Sequence, residues 1–168
     1  MNTSIAKYIL GMTVLLFLFS HSYSQNKLVV GEKAPSIEEQ SNRGNTIKLS
    51  EINSELILLD FWAGWCKPCI KTIKSTLLPI YDKYDRKKLE IIGISYDRSV
   101  DKWKKSIARY GLPWLHIYDG DNNELLKKYM VEYIPTYFLV DRNGKIVAKN
   151  ILSADLEKTI DEYFNKTN

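Results

Sequence analysis

Two continuous apolar runs give the strongest secondary-structure signal in the chain. Leu56–Trp62 reads LILLDFW and Leu89–Ser95 reads LEIIGIS, each with one acidic residue inside it. Runs of this length and composition are typical of strands that are buried on both faces of a sheet. We therefore predict two central strands. Weaker signals predict an extended N-terminal segment and two short strands, at Leu28–Glu39, Thr46–Leu49 and Leu115–Tyr118.

Apolar residues recur at helical spacing between the two predicted central strands. This helix is predicted to begin near Pro68, because proline is tolerated in a first turn, and to be kinked or to end near Pro79. A charged helix is predicted from about Ser99 to Tyr110, with Gly111 as its C-cap. Two further helices are predicted, at Asn122–Met130 and, with Ser153 as its cap, at Ala154–Phe164.

A hairpin signal lies near the C-terminal end of the chain. Thr136–Val140 and Lys145–Lys149 flank the dipeptide Asn143-Gly144, which accepts the positive φ of a tight turn. The order is therefore a βαβ unit, an inserted helix and strand, and then a hairpin and a helix. This order predicts an α/β fold with a central mixed sheet and helices on both of its faces.

The N-terminal segment differs from the rest of the chain. No charged residue lies between Lys7 and Lys27, and Tyr8–Phe19 is a nearly unbroken apolar run followed by small residues. A basic start, a short apolar core and a small-x-small cleavage site are the parts of a secretory signal. We expect 1–24 to be a removed signal, which would place the mature domain, 25–168, in the periplasm or outside the cell without a membrane span. An uncleaved anchor is the alternative, because the apolar length is marginal for a bilayer.

Composition and charge narrow the classes of function. The 168 residues are 45% hydrophobic and 26% charged, with a net charge of +4, which suits one globular domain with a short extension. The lysines are scattered among acidic residues, so the sequence gives no indication of nucleic-acid binding. The glycines are scattered singly, and we expect no nicotinamide, flavin or phosphate cofactor.

The chain has two cysteines, Cys66 and Cys69, in the stretch FWAGWCKPC. Exported proteins usually use cysteines as structural disulfides, but a CxxC loop is so small that it would stabilise the fold little. Structural zinc needs four ligands. The only histidines are His21, in the predicted signal, and His116, which we expect to be an ordinary surface or packed residue. Two-coordinate Cu(I), which thiolates favour, stays open as a ligand of the pair.

The position of the two cysteines favours redox chemistry. A helix that begins near Pro68 places Cys66 at its N-terminus, where unpaired N–H groups and the helix dipole stabilise a thiolate. Lys67 adds a cation beside it, and we expect the pKa of Cys66 to lie below that of a free thiol. Cys66 is therefore predicted to be the exposed, attacking sulfur. Cys69, one turn further on and more buried, is predicted to be the resolving thiol.

The joint pattern of motifs resembles a known superfamily. LLDFWAGWCKPC, followed far downstream by YIPT, is similar to thioredoxins. The long gap, the GEKAP opening, the FLVDRNGKIV hairpin and the export signal narrow the resemblance to exported TlpA/ResA-type thiol–disulfide oxidoreductases with AhpC/TSA-like redoxin domains. This resemblance covers the chain from about Val30 to the C-terminal helix. It implies a thioredoxin-like fold, with an N-terminal extension and an αβ insert before a cis-proline. It also implies disulfide exchange with protein substrates, in the reducing direction, as in cytochrome c maturation or general disulfide reduction, with a membrane thiol reductase as electron donor.

The resemblance also assigns positions to individual residues. It implies that Pro135 is the cis-proline opposite the dithiol, and a cis bond there would expose the backbone edge of Ile134 to a partner peptide. Trp62 is expected to be a core aromatic residue beneath the cysteines. Three further residues of the motif are expected to contact the substrate: Trp65, Lys67 and Pro68.

Asp60 matches the buried carboxylate that related proteins use to carry a proton to and from the second cysteine. Its position in an apolar strand predicts a raised pKa, although a buried acid satisfied by a backbone group is an equal alternative. Two departures from the family are visible in the sequence. Gly93 stands where typical thioredoxins have a lysine, and Arg98, with Asp97 beside it, stands where ResA-like proteins have a glutamate.

Two other classes of function compete with disulfide exchange. Thiol peroxidases of the redoxin type place a threonine and a proline before the reactive cysteine, whereas Phe61–Trp65 contains neither. A copper carrier or a non-catalytic interaction module would need the two sulfurs only for binding. Catalytic exchange through Cys66 and Cys69, with Asp60 as proton carrier, is the preferred hypothesis.

Overall fold

A computed structural model describes residues 28–120 and 122–167 of the chain. Its strands are β1 Glu38–Gln40, β2 Thr46–Lys48, β3 Leu56–Trp62, β4 Leu89–Ser95, β5 Leu115–Tyr118, β6 Thr136–Asp141 and β7 Ile146–Lys149. The central sheet has five strands in the order β5-β4-β3-β6-β7. In this sheet β3, β4 and β5 are parallel, β6 is antiparallel to β3, and β7 is antiparallel to β6, which confirms the predicted mixed sheet. A separate two-stranded antiparallel sheet, β1–β2, comes from the N-terminal extension.

Helices cover both faces of the central sheet, as predicted. The helices are α1 Lys67–Thr72, α2 Leu78–Lys83, α3 Val100–Tyr110, α4 Glu124–Lys128 and α5 Leu156–Thr167, with short 3-10 helices at Leu49–Glu51 and Ser153–Asp155. The core on one face joins β3 and β4 to α1, α2, α3 and α5. The core on the other face joins the same two strands to the β1–β2 hairpin and α4.

Strand β3 is the central element of the sheet. All seven of its residues are buried, which explains why its sequence is apolar on both faces. At its carboxyl end, Trp62 pairs with Ser95 of β4 and Phe61 pairs with Thr136 of β6. Because β6 is antiparallel to β3, the segment before β6 lies at the same sheet edge as the segments that follow β3 and β4. Residues from three distant parts of the sequence therefore meet at this edge.

The sequence predicts that the helix after β3 is kinked or ends near Pro79. The structure excludes the second outcome, because the helix continues past Pro79 to Lys83. A π-helical turn, Ile73–Leu77, joins α1 directly to α2, and the Leu78 N–H donates to the carbonyl oxygen of Ile73. Proline cannot donate a backbone hydrogen bond, and its ring clashes with the preceding turn of a regular α-helix. The wider π turn just before Pro79 accommodates it, so the helix continues to Lys83.

The two predicted caps have different outcomes. Helix α3 has the predicted boundaries: the Ser99 hydroxyl accepts a hydrogen bond from the Lys102 N–H, and Gly111 adopts a left-handed conformation with φ of 61°. Ser153 does not cap the C-terminal helix. It lies in a 3-10 turn before α5, and its hydroxyl accepts a hydrogen bond from Thr72 Oγ1 at 3.1 Å. That tertiary contact has no local sequence signal.

The predicted export signal, residues 1–24, lies outside the described residues. Among the helices of residues 28–120 and 122–167, none has the length and apolar composition that crossing a bilayer requires. The boundary between signal and mature domain therefore stays a prediction from sequence.

A row of residues crosses the α1 face of the sheet, with Tyr137, Asp60, Gly93 and His116 at paired positions on β6, β3, β4 and β5. His116 is fully buried, so it is a packed residue and not a surface residue. Burial, with the Arg43 charge as a smaller contribution, lowers the pKa of His116 to about 3. The imidazole lies over Gly93: an added Cβ there would be 2.3 Å from His116 Nδ1.

Gly93→Ala is expected to destabilise the fold by about 1–3 kcal/mol, because the added methyl group overlaps the buried imidazole. The measurement is urea unfolding of the oxidised protein. The same substitution in a His116→Ala background should cost clearly less, since the imidazole has then been removed. An equal cost in both backgrounds would show that His116 is not the obstacle.

Candidate active site

A disulfide joins Cys66 and Cys69 at the start of α1. Cys66 is the N-cap residue of that helix, and its Sγ accepts a hydrogen bond from the Cys69 N–H at 3.2 Å. This is the placement that the sequence predicts. A sulfur at this position faces the unpaired N–H groups of the first helical turn, which stabilise negative charge on it.

The attacking sulfur is less accessible than predicted. Cys66 is 5% exposed and Cys69 is fully buried, so the order of exposure is as predicted, but Cys66 is not an exposed residue. The reason is the chain segment before β6, which covers it: the Ile134 carbonyl oxygen lies 3.9 Å from Cys66 Sγ. The side chains of Lys67 and Pro68 are exposed beside the disulfide.

The segment opposite the disulfide contains a cis peptide bond between Ile134 and Pro135. Both residues are half-buried. The hydroxyl of Thr136 donates a hydrogen bond to the carbonyl oxygen of Tyr133 at 2.5 Å, which closes the turn around them. Strand pairing thus brings Ile134 and Pro135, predicted as substrate-binding residues, next to Cys66.

An apolar groove of about 650 Å³ opens beside the disulfide. Trp65 is 51% exposed, Met130 51% and Tyr133 62%, although all three are large apolar residues. Exposed apolar surface of this kind marks interaction sites. Sequence reasoning identified Trp65 and Ile134 but missed the remaining apolar lining residues: Tyr96, Leu126, Met130, Val131 and Tyr133. Tyr133 could have been found from its position just before Ile134–Pro135.

Asp60 lies on the face of the sheet that α1 covers, and it is fully buried. Within the described part of the chain, neither of its carboxylate oxygens has a hydrogen-bond partner. The alternative of an acid satisfied by a backbone group is therefore wrong. Desolvation raises the pKa of Asp60 to about 8. With this pKa, the carboxyl group is mostly protonated at pH 7 and loses its proton as the pH rises through about 8.

The neighbouring Tyr137 responds to the same environment. Its hydroxyl is buried, and desolvation followed by the nearby Asp60 charge raises its pKa well above the ordinary value. Gly93 pairs with Asp60 on the other side, at the position that the sequence comparison with typical thioredoxins indicated. A glycine has no charged side chain, so β4 supplies no cation at this position to stabilise the ionised form of Asp60 and lower its pKa.

Asp97 and Arg98, in the turn after β4, have separate roles. Asp97 is buried, and its carboxylate accepts hydrogen bonds from the Gly64 N–H at 3.1 and 3.2 Å and from the Ser95 hydroxyl at 2.9 Å. Asp97 therefore holds the loop before Cys66 against the end of β4. Arg98 is exposed. Of the two carboxylates considered from sequence, Asp97 is engaged in structural hydrogen bonds and Asp60 is not.

The donor set disfavours a structural metal site. Across residues 28–120 and 122–167, no three His, Cys, Asp or Glu side chains are grouped closely enough to hold a metal ion. His116 is buried between Trp62 and Trp114, with ring centroids 5.4 and 5.8 Å away. A four-ligand zinc site at the cysteines has no additional donors in this part of the chain.

Proteins with similar sequences and structures perform disulfide chemistry. The chain is 30% identical to the thiol-disulfide oxidoreductase ResA of Bacillus cereus over 156 residues, which cover 93% of this chain and 87% of that protein. The thioredoxin domain of a thiol-disulfide oxidoreductase from Bacteroides vulgatus superposes with a TM-score of 0.73 at 32% identity, covering 82% of this chain and 99% of that chain. A thiol:disulfide interchange protein from Bacteroides sp. gives a TM-score of 0.73 at 32% identity, over 82% of this chain and 91% of that one.

The family assignment rests on sequence and structure together. The family model described as thioredoxin-like matches residues 53–146, which include β3, the dithiol, β4 and the β6–β7 hairpin up to the start of β7. The ResA relative extends the match over nearly the whole chain. The chain therefore belongs to the thioredoxin-like family, among its TlpA/ResA-type thiol–disulfide oxidoreductases.

Proposed function

We propose that this protein is exported by the signal at 1–24 and reduces disulfides of protein substrates through the Cys66–Cys69 dithiol. A membrane thiol reductase would return electrons to it, and cytochrome c maturation is one process that such a reductase would serve. The observation that carries the proposal is the disulfide at a helix start, with the Ile134 backbone 3.9 Å from its outer sulfur and an apolar groove alongside. A partner peptide that pairs with Ile134 would present its own disulfide to Cys66.

The exchange is written as two attacks. The Cys66 thiolate attacks one sulfur of the substrate disulfide, forms a mixed disulfide, and releases the other sulfur as a thiolate that takes up a proton. The Cys69 thiol then gives its proton to a base and attacks Cys66 Sγ, which releases the second substrate sulfur as a thiolate that takes up a proton in turn. Two electrons and two protons pass to the substrate, and the Cys66–Cys69 disulfide results.

In the fraction of molecules in which Asp60 is ionised, its carboxylate is the proposed acceptor of the Cys69 proton in the second step. Its carboxyl group lies on the sheet face that α1, the helix of Cys69, covers, and its pKa of about 8 is close to that of a thiol. Proton transfer between groups of similar pKa near the working pH is efficient. Asp97 is the less suitable carboxylate, because hydrogen bonds from Gly64 and Ser95 already occupy it.

Reduction of insulin disulfides tests the function. The wild-type mature chain, supplied with a thiol donor, should reduce insulin, and Cys66→Ser should abolish this activity because the attacking sulfur is lost. Cys69→Ser should accumulate a mixed disulfide with the substrate, visible by mass spectrometry. Activity that survives in Cys66→Ser would overturn the proposal.

The direction of electron flow is tested by the reduction potential in a glutathione or dithiothreitol buffer. A value near that of thioredoxin, about −270 mV, is expected for a reductase. A value near that of the oxidant DsbA, about −120 mV, would reverse the proposed direction while leaving disulfide exchange intact.

Asp60→Asn is expected to change the pH dependence of stability. The folded state keeps the Asp60 proton up to about pH 8, whereas the unfolded state releases it near pH 4, so the wild type loses stability as pH rises between these values. Asparagine does not titrate. The stability of Asp60→Asn relative to wild type should therefore grow by about 3–4 kcal/mol between pH 5 and pH 8, measured by denaturant unfolding. Parallel pH profiles would contradict a raised Asp60 pKa.

Asp60→Asn should also slow release of the product. Single-turnover kinetics of the mixed disulfide are expected to show a loss on the order of 10²-fold, together with loss of a rate increase centred near pH 8. Asp97→Asn is the matched control, because it removes another buried carboxylate but should keep the inflection. If Asp60→Asn preserves both the rate and the inflection, Asp60 is not the proton acceptor.

A further inference from the structure

We propose that a cationic surface beside the dithiol binds acidic side chains of the protein substrate. The cationic surface consists of Arg98, Lys102, Lys105 and Arg109, which line one pocket of about 420 Å³. This inference rests on the proposed function and deepens it, because it states the charge of the substrate segments next to the disulfide that is reduced.

The four cations share one side of α3 and the turn before it. Their spacing of three or four residues places them on one face of the helix, and all four side chains are exposed. Ser106 and Tyr110, from the same helix, contribute polar and aromatic atoms to the pocket. The Arg109 guanidinium lies 5.5 Å from the Tyr110 ring centroid, a cation–π distance that orients it.

The cations of this surface have no ion-pair partner in the described chain. Within that part of the protein, none of the four cations forms an ion pair, whereas Lys48 pairs with Glu38 and Glu51, and Lys83 pairs with Glu157 and Asp161. The carboxylate that lines the same pocket is Asp97, which is buried and hydrogen-bonded. Three lysines of the described chain form ion pairs, namely Lys48, Lys83 and Lys158, and the four cations of this surface are not among them. Their charge therefore stays available for a partner.

The cationic surface is held close to the dithiol by the packing of α3. An added Cβ at Gly64 would lie 1.9 Å from Ser106 Oγ, so only a glycine allows α3 to approach the loop before Cys66 this closely. The Gly64 N–H also donates to Asp97, the residue before Arg98. Trp65 lines both this pocket and the apolar groove. The two surfaces therefore meet at Trp65, the residue immediately before Cys66.

Because the four cations are exposed, this surface suits contacts with an acidic segment of a protein substrate and does not form a buried ion-pair site. Exposed ion pairs contribute little to affinity, so the cationic surface would act mainly on the rate of encounter. Electrostatic steering can raise association rates by about 10–10³-fold and weakens as salt screens charges beyond about 8 Å. A substrate would place apolar residues in the groove and acidic residues on the opposite side of Trp65.

The experiment compares two disulfide-linked peptides that share a cysteine and an apolar core but carry flanking glutamates or flanking lysines. Second-order rate constants are measured with the reduced mature chain at low salt and at roughly 1 M NaCl. The wild type should reduce the acidic peptide about tenfold or more faster than the basic one at low salt, and the ratio should approach one at high salt. The ratio cancels any change in the reactivity of Cys66, because the same sulfur attacks both peptides.

In the Arg98→Glu/Lys105→Glu double variant, the ratio of the rate constants for the acidic and the basic peptide should fall to one or below. Lys104→Glu is the matched control: Lys104 is exposed on the same helix but does not line the pocket, and its variant should keep the ratio within about twofold. The milder Arg98→Gln/Lys105→Gln variant, expected to reduce the ratio about halfway on a logarithmic scale, replaces the double reversal if that variant does not fold.

A neutral substrate separates the two proposals. If hydroxyethyl disulfide is reduced but the acidic and basic peptides react equally, the cationic surface is excluded and disulfide exchange stands. If Lys104→Glu changes the ratio as much as the pocket variant, net charge rather than this surface is responsible, and the inference is wrong. If no disulfide is reduced, the proposed function itself fails.

Discussion

The pairing of β3 with one parallel and one antiparallel neighbour is the constraint on which the active site depends. The parallel pair brings the end of β4, and with it Asp97 and Arg98, to the end of β3. The antiparallel pair brings the start of β6, and with it Ile134 and Pro135, to the same edge. Cys66 follows β3 directly, so its neighbours are fixed by backbone hydrogen bonds of a fully buried strand. A rigid sheet edge of this kind positions reactive groups better than a free loop does.

The same buried strand carries the feature that opposes stability. A carboxyl group in an apolar interior is tolerated only when it is paired or protonated. Neither carboxylate oxygen of Asp60 has a hydrogen-bond partner among the described residues. Gly93, which pairs with Asp60 on β4, carries no side chain, and the next residue across the sheet, His116 on β5, is neutral. The proton on Asp60 is what makes its burial possible. Violations of local design rules concentrate at functional sites, and an unpaired acid under a dithiol is such a violation.

Sequence predicted those features that have local causes. The apolar runs of β3 and β4, the Gly111 cap of α3 and the Asn-Gly hairpin are set by neighbours in the chain, and all were predicted. The CxxC motif between a strand and a helix placed Cys66 correctly for the same reason. The low exposure of Cys66, the depth of His116 and the groove beside Tyr133 depend on contacts between segments that are far apart in sequence. The π turn before Pro79 shows that packing of a helix against the sheet can override a local breaker.

Chemistry and recognition come from different parts of the chain. The reactive sulfurs and Asp60 belong to β3 and α1, whose residues are constrained by the core. The surfaces next to them come mainly from the insert between the βαβ unit and the hairpin: α3 and the preceding turn supply the cations, and α4 with the following turn supplies Leu126 and Met130 of the groove. A residue such as Arg98, which is exposed, changes the charge of the surface beside the dithiol without altering the packing of the core. The departure from the family at Arg98 is therefore compatible with unchanged disulfide chemistry and bears on which protein the dithiol meets.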